Sequence, residues 1–91
     1  MYKRTVTVIN KRGLHARPGS DFVNAAKGFT SKITIRRLDE EEEAVNAKSI
    51  AFVLSLGVSK GVEIELTASG EDEQAAVDSL VSVIQEGFGD L

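Results

Sequence analysis

The sequence predicts an α+β domain of two layers, in which a mostly antiparallel, four-stranded sheet carries three helices on one face. Segments with an apolar residue at every second position alternate with segments whose apolar residues recur at helical spacing. The strand-like segments are apolar on one side only, which is typical of an antiparallel sheet with its other face in water. The 91 residues fit a single domain over positions 1–91, in the order β-α-β-β-α-β-α.

The first part of the chain predicts a strand, a helix and a second strand. Residues 3–10 alternate, with valines on one side and threonines on the other. Apolar residues follow helical spacing over Ala16–Lys27, and Pro18 suits the first turn because its missing N–H would have no partner there. Gly28 stands where a residue in the left-handed conformation commonly ends a helix. Alternation returns over residues 31–37.

The middle of the chain predicts an acidic turn, a short strand and a short helix. The run "DEEEE" at residues 39–43 holds five of the 14 acidic residues, and such a row of like charges favours an exposed turn. Residues 43–47 fit a short returning strand, and Ser49 fits the N-cap of a helix that Gly57 ends. This helix has more apolar residues than one side can bury. We expect Val53 and Leu56 in the core, and Ile50, Ala51 and Leu54 at or near the surface.

The last part of the chain predicts the clearest strand and a long helix. Residues 61–68 alternate strictly between apolar residues and acidic or threonine side chains. Within residues 70–89, three acidic residues come first, where they complement the positive end of the helix dipole, and Gly87 ends the helix. The expected apolar stripe consists of Ala76, Leu80, Val83 and Ile84.

Composition argues against several classes of function. The absence of cysteine excludes disulfides and thiolate catalysis, and favours a cytoplasmic location. The first ten residues contain no apolar signal core, and the longest apolar run, residues 50–54, is too short to span a bilayer. A net charge of −3 argues against a general nucleic-acid binder. We therefore expect no nucleic-acid partner and no membrane insertion.

The stretch "GLHARPGS" contains the only histidine of the chain, His15, just before the first predicted helix. The free N–H groups of a first helical turn, together with the helix dipole, form an anion site. Arg17 adds a guanidinium suited to phosphate oxygens, and Gly13 permits a tight turn on the approach. A neutral imidazole is a good nucleophile towards phosphorus. The residues thus suggest a histidine that carries a phosphoryl group.

Other functions of His15 have less support in the sequence. Most lone histidines are ordinary surface or core residues. A metal site is not indicated, because no second histidine, cysteine or suitably spaced carboxylate pair lies nearby. Ser20 and Asp21 are close in sequence, but no nucleophile elbow is present for a catalytic triad. No nucleotide-binding loop is present either, so a phosphoryl group would have to come from another protein.

The motif "GLHARP" resembles the active site of HPr, the histidine-containing phosphocarrier family of the bacterial phosphoenolpyruvate-dependent sugar phosphotransferase system. Further segments resemble the family at matching intervals: "AKGFTSKITI", "NAKSI", "LSLGVSKG" and "ASGEDEQAAV". Agreement of several separate segments is far more specific than one hexapeptide. The resemblance implies the open-faced β-sandwich of that family, in line with the element order above.

The resemblance also implies roles for particular residues. His15 would accept the phosphoryl group on Nδ1 from enzyme I and pass it to the A components of sugar permeases, with Arg17 and Ala16 stabilising the phosphate. Ser49 aligns with the serine that HPr kinase/phosphorylase modifies, although an N-cap alone would also explain it. The implied docking residues for partners are Ser20, Ile50, Ala51, Leu54 and Ser55. No cofactor or metal is implied, and a monomer is expected.

The sequence departs from the family pattern in two places. The acidic run lengthens the turn between the second and third strands, and Ala51 is smaller than the apolar residue more often found there. Two other functions stay open. One is a regulatory adaptor acting mainly through Ser49, or a carrier of the nitrogen-related branch. The other is a sensor that binds a small anion at the helix terminus without covalent chemistry.

Overall fold

The computed structural model describes residues 1–89 and contains one four-stranded sheet and three α-helices. The strands are β1 (Tyr2–Thr7), β2 (Lys32–Arg37), β3 (Val45–Asn46) and β4 (Glu63–Ser69); the helices are α1 (Ala16–Lys27), α2 (Ile50–Ser55) and α3 (Glu73–Gln85). A 3₁₀ turn, Gly87–Gly89, follows α3. The sheet order is β1-β4-β2-β3 and every neighbouring pair is antiparallel. The predicted α+β fold and element order are confirmed.

The core lies between the helices and the apolar face of the sheet. In β4, Ile64, Leu66 and Ala68 are buried, while Glu63 and Ser69 are exposed. The same alternation buries Ile33 and Ile35 in β2, and in β1 it buries Val6 and leaves Tyr2 half-buried, because successive strand side chains point to opposite faces. Burial of these aliphatic faces is the main stabilising term of the fold. In the part of the chain that is described, no helix is both long and apolar enough to cross a membrane.

Two details of the predicted helices are wrong. Gly28 ends α1 in the right-handed region, at φ −72°, and its N–H donates to the carbonyl of Ala25, so no left-handed residue is needed. In α3, Val77 and Val81 are buried and Val83 is only half-buried. The buried face of α3 consists of Ala76, Val77, Leu80, Val81 and Ile84, which recur at helical spacing, and Val83 lies at its margin.

The acidic turn is exposed as predicted, but its start is tied to the end of α2. The Arg37 guanidinium donates to both carboxylate oxygens of Asp39, at 2.9 and 2.7 Å, and lies 3.1 Å from Glu40. The same side chain donates to the carbonyls of Leu56 and Gly57. Its hydrogen bond lowers the pKa of Asp39. Arg37 therefore places a positive charge at the C-terminal end of α2, where it is favourable.

Asp72 joins the start of α3 to the loop before β2. Its carboxylate accepts the backbone N–H of Thr30 at 2.8 Å and that of Ser31 at 2.9 Å, and it also accepts the Ser31 hydroxyl. These bonds favour the ionised form, and the hydroxyl contributes most, so the pKa of Asp72 falls to about 2. The sequence indicated only a favourable charge near a helix start. The structure shows a long-range connection between two elements.

We expect Asp72→Asn to destabilise the fold at neutral pH. Because the pKa of Asp72 is lower in the folded state, its contribution is present above its ordinary value of 3.8. The contribution is lost as pH falls from there towards 2. Urea unfolding of both proteins at pH 7, 4 and 2.5 should show a difference in the free energy of unfolding that becomes smaller as the pH falls. The neighbouring exposed residue Glu71, changed to Gln, is the control and should show no such trend.

Candidate functional site

The turn before α1 is held by backbone contacts that reach across the fold. The Leu14 N–H donates to the carbonyl of Val58 at 3.0 Å, and the Asn10 side chain donates to the carbonyl of Gly13 at 2.9 Å. Gly13 has φ +61°, and a Cβ there would lie only 2.2 Å from the Val58 oxygen. Only glycine permits both the left-handed backbone and this close approach. The sequence prediction of a tight turn at Gly13 is confirmed.

His15 lies at the N-cap of α1 with an exposed side chain. Its backbone is extended, at φ −101° and ψ 158°, and its N–H donates to the carbonyl of Arg12 at 3.2 Å. Within residues 1–89 the imidazole makes no capping hydrogen bond to the first turn of α1. The ring is therefore accessible for chemistry, and the N–H groups of that turn are not satisfied by a side-chain cap.

Ala16 adopts a left-handed backbone, with φ +53°. For a residue with a Cβ this conformation costs on the order of 1–3 kcal/mol, and such residues concentrate at functional sites. Here the strained residue follows the histidine directly and begins α1. This conformation could not be predicted from the sequence, since alanine at a helix start ordinarily has helical dihedrals.

Arg17 lies at the mouth of a cavity beside the start of α1. Its side chain is 86% exposed and its Nε lies 3.9 Å from the carboxylate of Asp21, one turn along the helix. The cavity has a volume of about 320 Å³. It is lined by Arg12, Arg17, Pro18, Asp21, Phe88 and Gly89. The contributions of Arg12 and of the 3₁₀ turn were not predicted, because they depend on how distant segments pack.

The second predicted region, around Ser49, forms the short helix α2. The Ser49 hydroxyl accepts the N–H of Phe52 at 3.4 Å, which confirms the predicted N-cap. Val53 and Leu56 are buried, as predicted. Ile50, Ala51, Leu54 and Ser55 are all exposed. Phe52, 54% exposed, was missed and is the most exposed large apolar side chain of this helix.

The start of α1 and the exposed side of α2 form one continuous surface. A Cβ at Gly19 would lie 3.2 Å from a methyl group of Leu54, so α2 packs close to the first turns of α1. A shallow groove between the helices is lined by Ser20, Val23, Asn24, Lys27 and Ile50. The structure thus brings Ser20 next to the α2 residues. Among residues 1–89, no three His, Cys, Asp or Glu side chains are grouped closely enough to hold a metal ion.

This arrangement agrees with a family model that covers nearly the whole chain. Residues 2–86 match the model described as the phosphotransferase-system HPr component phosphorylation site. The chain belongs to the HPr family. It is therefore a member of a family of phosphocarriers in the phosphotransferase system, and its fold is that of solved HPr structures.

Individual HPr relatives agree with the family assignment. The HPr-like protein Crh of Bacillus subtilis is 45% identical over 86 residues, which cover 94% of this chain and 98% of that protein. The multiphosphoryl transfer protein of Haemophilus influenzae is also 45% identical over 86 residues, but these cover 94% of this chain and 17% of that protein. The chain thus spans about a fifth of the multiphosphoryl transfer proteins that it matches.

Solved HPr structures superpose closely on this chain. The crystal structure described as HPr-C-His from Thermoanaerobacter tengcongensis has a TM-score of 0.93 at 43% identity, covering 100% of this chain and 99% of that one. A structure from the same organism described as an HPr dimer has a TM-score of 0.75 at 44% identity, covering 98% of this chain and 99% of that one.

We expect Gly13→Ala to destabilise the protein by roughly 3 kcal/mol or more, because it combines a left-handed backbone with a clash against the Val58 carbonyl. Gly61→Ala is the matched control. Gly61 also has a positive φ, of +93°, but nothing lies within 4 Å of its Cβ position. Its cost should be about 1–2 kcal/mol, from backbone strain alone. Equal losses of stability in urea unfolding would contradict the role given to the Val58 contact.

Proposed function

We propose that this HPr-family protein accepts a phosphoryl group on His15 from phosphorylated enzyme I and passes it to the A components of sugar permeases. We further propose that it does so in the cytoplasm, as a monomer and without a cofactor. The observation that carries the proposal is the exposed imidazole of His15 at the N-terminal end of α1, beside Arg17. Such a position suits transient attachment of a dianionic group.

The proposed chemistry needs only this chain's own groups and the partner's phosphohistidine. The lone pair of His15 Nδ1 attacks phosphorus, the new N–P bond forms, and the N–P bond to the donor imidazole breaks with its electrons returning to that ring. We propose that the backbone N–H groups of the first turn and the Arg17 guanidinium stabilise the charge on the phosphoryl oxygens. The left-handed Ala16 lies directly between His15 and the first turn, so its backbone sets the direction of the peptide group that follows the histidine.

We propose that α2 and the groove beside it form the docking surface for partner proteins. This surface comprises Ser20, Ile50, Ala51, Leu54 and Ser55, and the structure adds Phe52. Exposed apolar side chains concentrated on a two-turn helix support this role. Ser49, at the start of the same helix, is the proposed regulatory site. A phosphate there would meet the positive end of the helix and would add charge at the edge of the docking surface.

A regulatory adaptor is the second candidate function. It is favoured by the similarity to Crh of Bacillus subtilis, which is described as the catabolite repression HPr and which this chain matches over nearly all of its length. An adaptor acting mainly through Ser49 would not require the exposed His15 with Arg17 beside it, so the site favours a phosphocarrier. A carrier of the nitrogen-related branch would use the same His15 chemistry with other partners. A sensor that binds anions without covalent chemistry would yield no phosphoprotein at all.

We expect His15→Ala to abolish phosphoryl acceptance and to leave the fold intact, since an exposed ring contributes little packing. Incubation with phosphoenolpyruvate and enzyme I, followed by intact-mass measurement, should show one acid-labile phosphoryl adduct on the unchanged protein and none on the variant. Thermal unfolding of the two should agree closely. A variant that still acquires the acid-labile adduct, or an unchanged protein that acquires none, would overturn the assignment.

We expect Ser49→Asp to slow phosphoryl transfer from enzyme I severalfold, because it adds charge beside the docking surface. The helix should tolerate aspartate, which is itself a good N-cap. Ser69→Asp adds the same charge on the exposed face of β4, opposite the helices, and should transfer at the rate of the unchanged protein. Rapid-quench kinetics with phosphorylated enzyme I as donor will measure the transfer rates of the three proteins. Equal rates for all three proteins would leave Ser49 as a helix cap only.

A further inference from the structure

We propose that Arg12 is a second guanidinium that holds the phosphoryl group on His15, acting together with Arg17 from the opposite side of the chain turn. The inference rests on the proposed function of His15. It adds a phosphate-binding residue from the segment between β1 and α1.

The geometry brings Arg12 to the site in two ways. Its side chain lines the same cavity as Arg17 and Pro18, at the start of α1. Its carbonyl accepts the N–H of His15 at 3.2 Å, so the backbone of Arg12 is fixed relative to the histidine. The left-handed Gly13 between them turns the chain sharply. Arg12 and Arg17 thus flank His15 in the sequence, and both line one cavity at the start of α1.

The charges favour a second cation at this position. Arg17 shares its charge with Asp21, whose carboxylate lies 3.9 Å away and lines the same cavity. Over residues 1–89, by contrast, no carboxylate forms an ion pair with Arg12. A phosphohistidine has three terminal oxygens and close to two negative charges. Arg12 would offset the negative charge that Asp21 brings to the cavity. Its planar guanidinium can also bind two of the phosphoryl oxygens.

The test uses phosphoramidate, a small phosphoryl donor that needs no protein partner. A ring nitrogen of His15 attacks phosphorus and forms an N–P bond, while the P–N bond of the donor breaks and ammonia leaves with that electron pair. Arg12 transfers no proton in this step. It binds the incoming anion and the transferred phosphoryl group, and both effects favour the reaction. Because Arg12 is exposed, we expect a moderate effect.

The experiment compares phosphorylation rates of four full-length proteins by intact-mass measurement at low salt. Arg12→Gln should react about fivefold more slowly than the unchanged protein, and Arg12→Lys should recover part of the rate, because lysine keeps the charge without the fork. Lys11→Gln is the matched control. It removes the same charge from the adjacent exposed residue, which is not part of the cavity lining, and should react within a factor of about two of the unchanged protein. Circular dichroism should be the same for all four.

Each outcome decides between the alternatives. An Arg12→Gln rate equal to that of the unchanged protein would overturn the proposal, and so would an equal loss in Lys11→Gln, which would indicate a general charge effect. Absence of any adduct on the unchanged protein would overturn it as well. The proposed function is judged separately, with enzyme I as donor. If phosphoramidate labels the protein and enzyme I does not, the proposed role of Arg12 stands and the proposed transfer from enzyme I is wrong.

Discussion

The position of His15 depends on the close approach of the chain at Gly13 to the carbonyl of Val58. This contact requires the absence of a side chain at residue 13, and the Leu14 N–H completes it with a hydrogen bond. Leu14 and Val58 are themselves fully buried, so the turn is anchored in the core. The exposed histidine follows directly from this anchored point. The backbone of His15 is therefore positioned by a buried neighbour, although its ring is in water.

Much of the fold could be predicted because its strands have one wet face. The alternation of apolar and polar residues in β4 and β2 reflects this difference between the two faces. The predicted bounds of both strands are therefore nearly correct. The less regular parts needed tertiary information. The right-handed end of α1 at Gly28 and the half-burial of Val83 depend on how each helix sits on its neighbours, which periodicity alone does not specify. The connection from Asp72 to Ser31 joins residues 41 positions apart.

The candidate site was predictable where chemistry is local in sequence. His15, Arg17 and Ser49 were identified from short segments, and the structure places each at the start of a helix or within its first turn. The cavity beside Arg17 was not predicted, because Phe88 comes from the other end of the chain. The left-handed Ala16 and the exposed Phe52 were also missed. Alanine carries no mark of an unusual backbone, and a phenylalanine in an apolar run is ordinarily expected in the core.

The two borders of the sheet bear on how the protein behaves at high concentration. β1 and β3 are the outer strands, and an outer strand can recruit a strand from another molecule into a growing aggregate. β3 has only two residues, which is too short to template such pairing. β1 is longer, but it carries Lys3 and Arg4, and Arg4 is held against α3 by Asp78. Charges along a border disfavour the addition of another strand, so the uncovered sheet gains protection from self-association without a second layer.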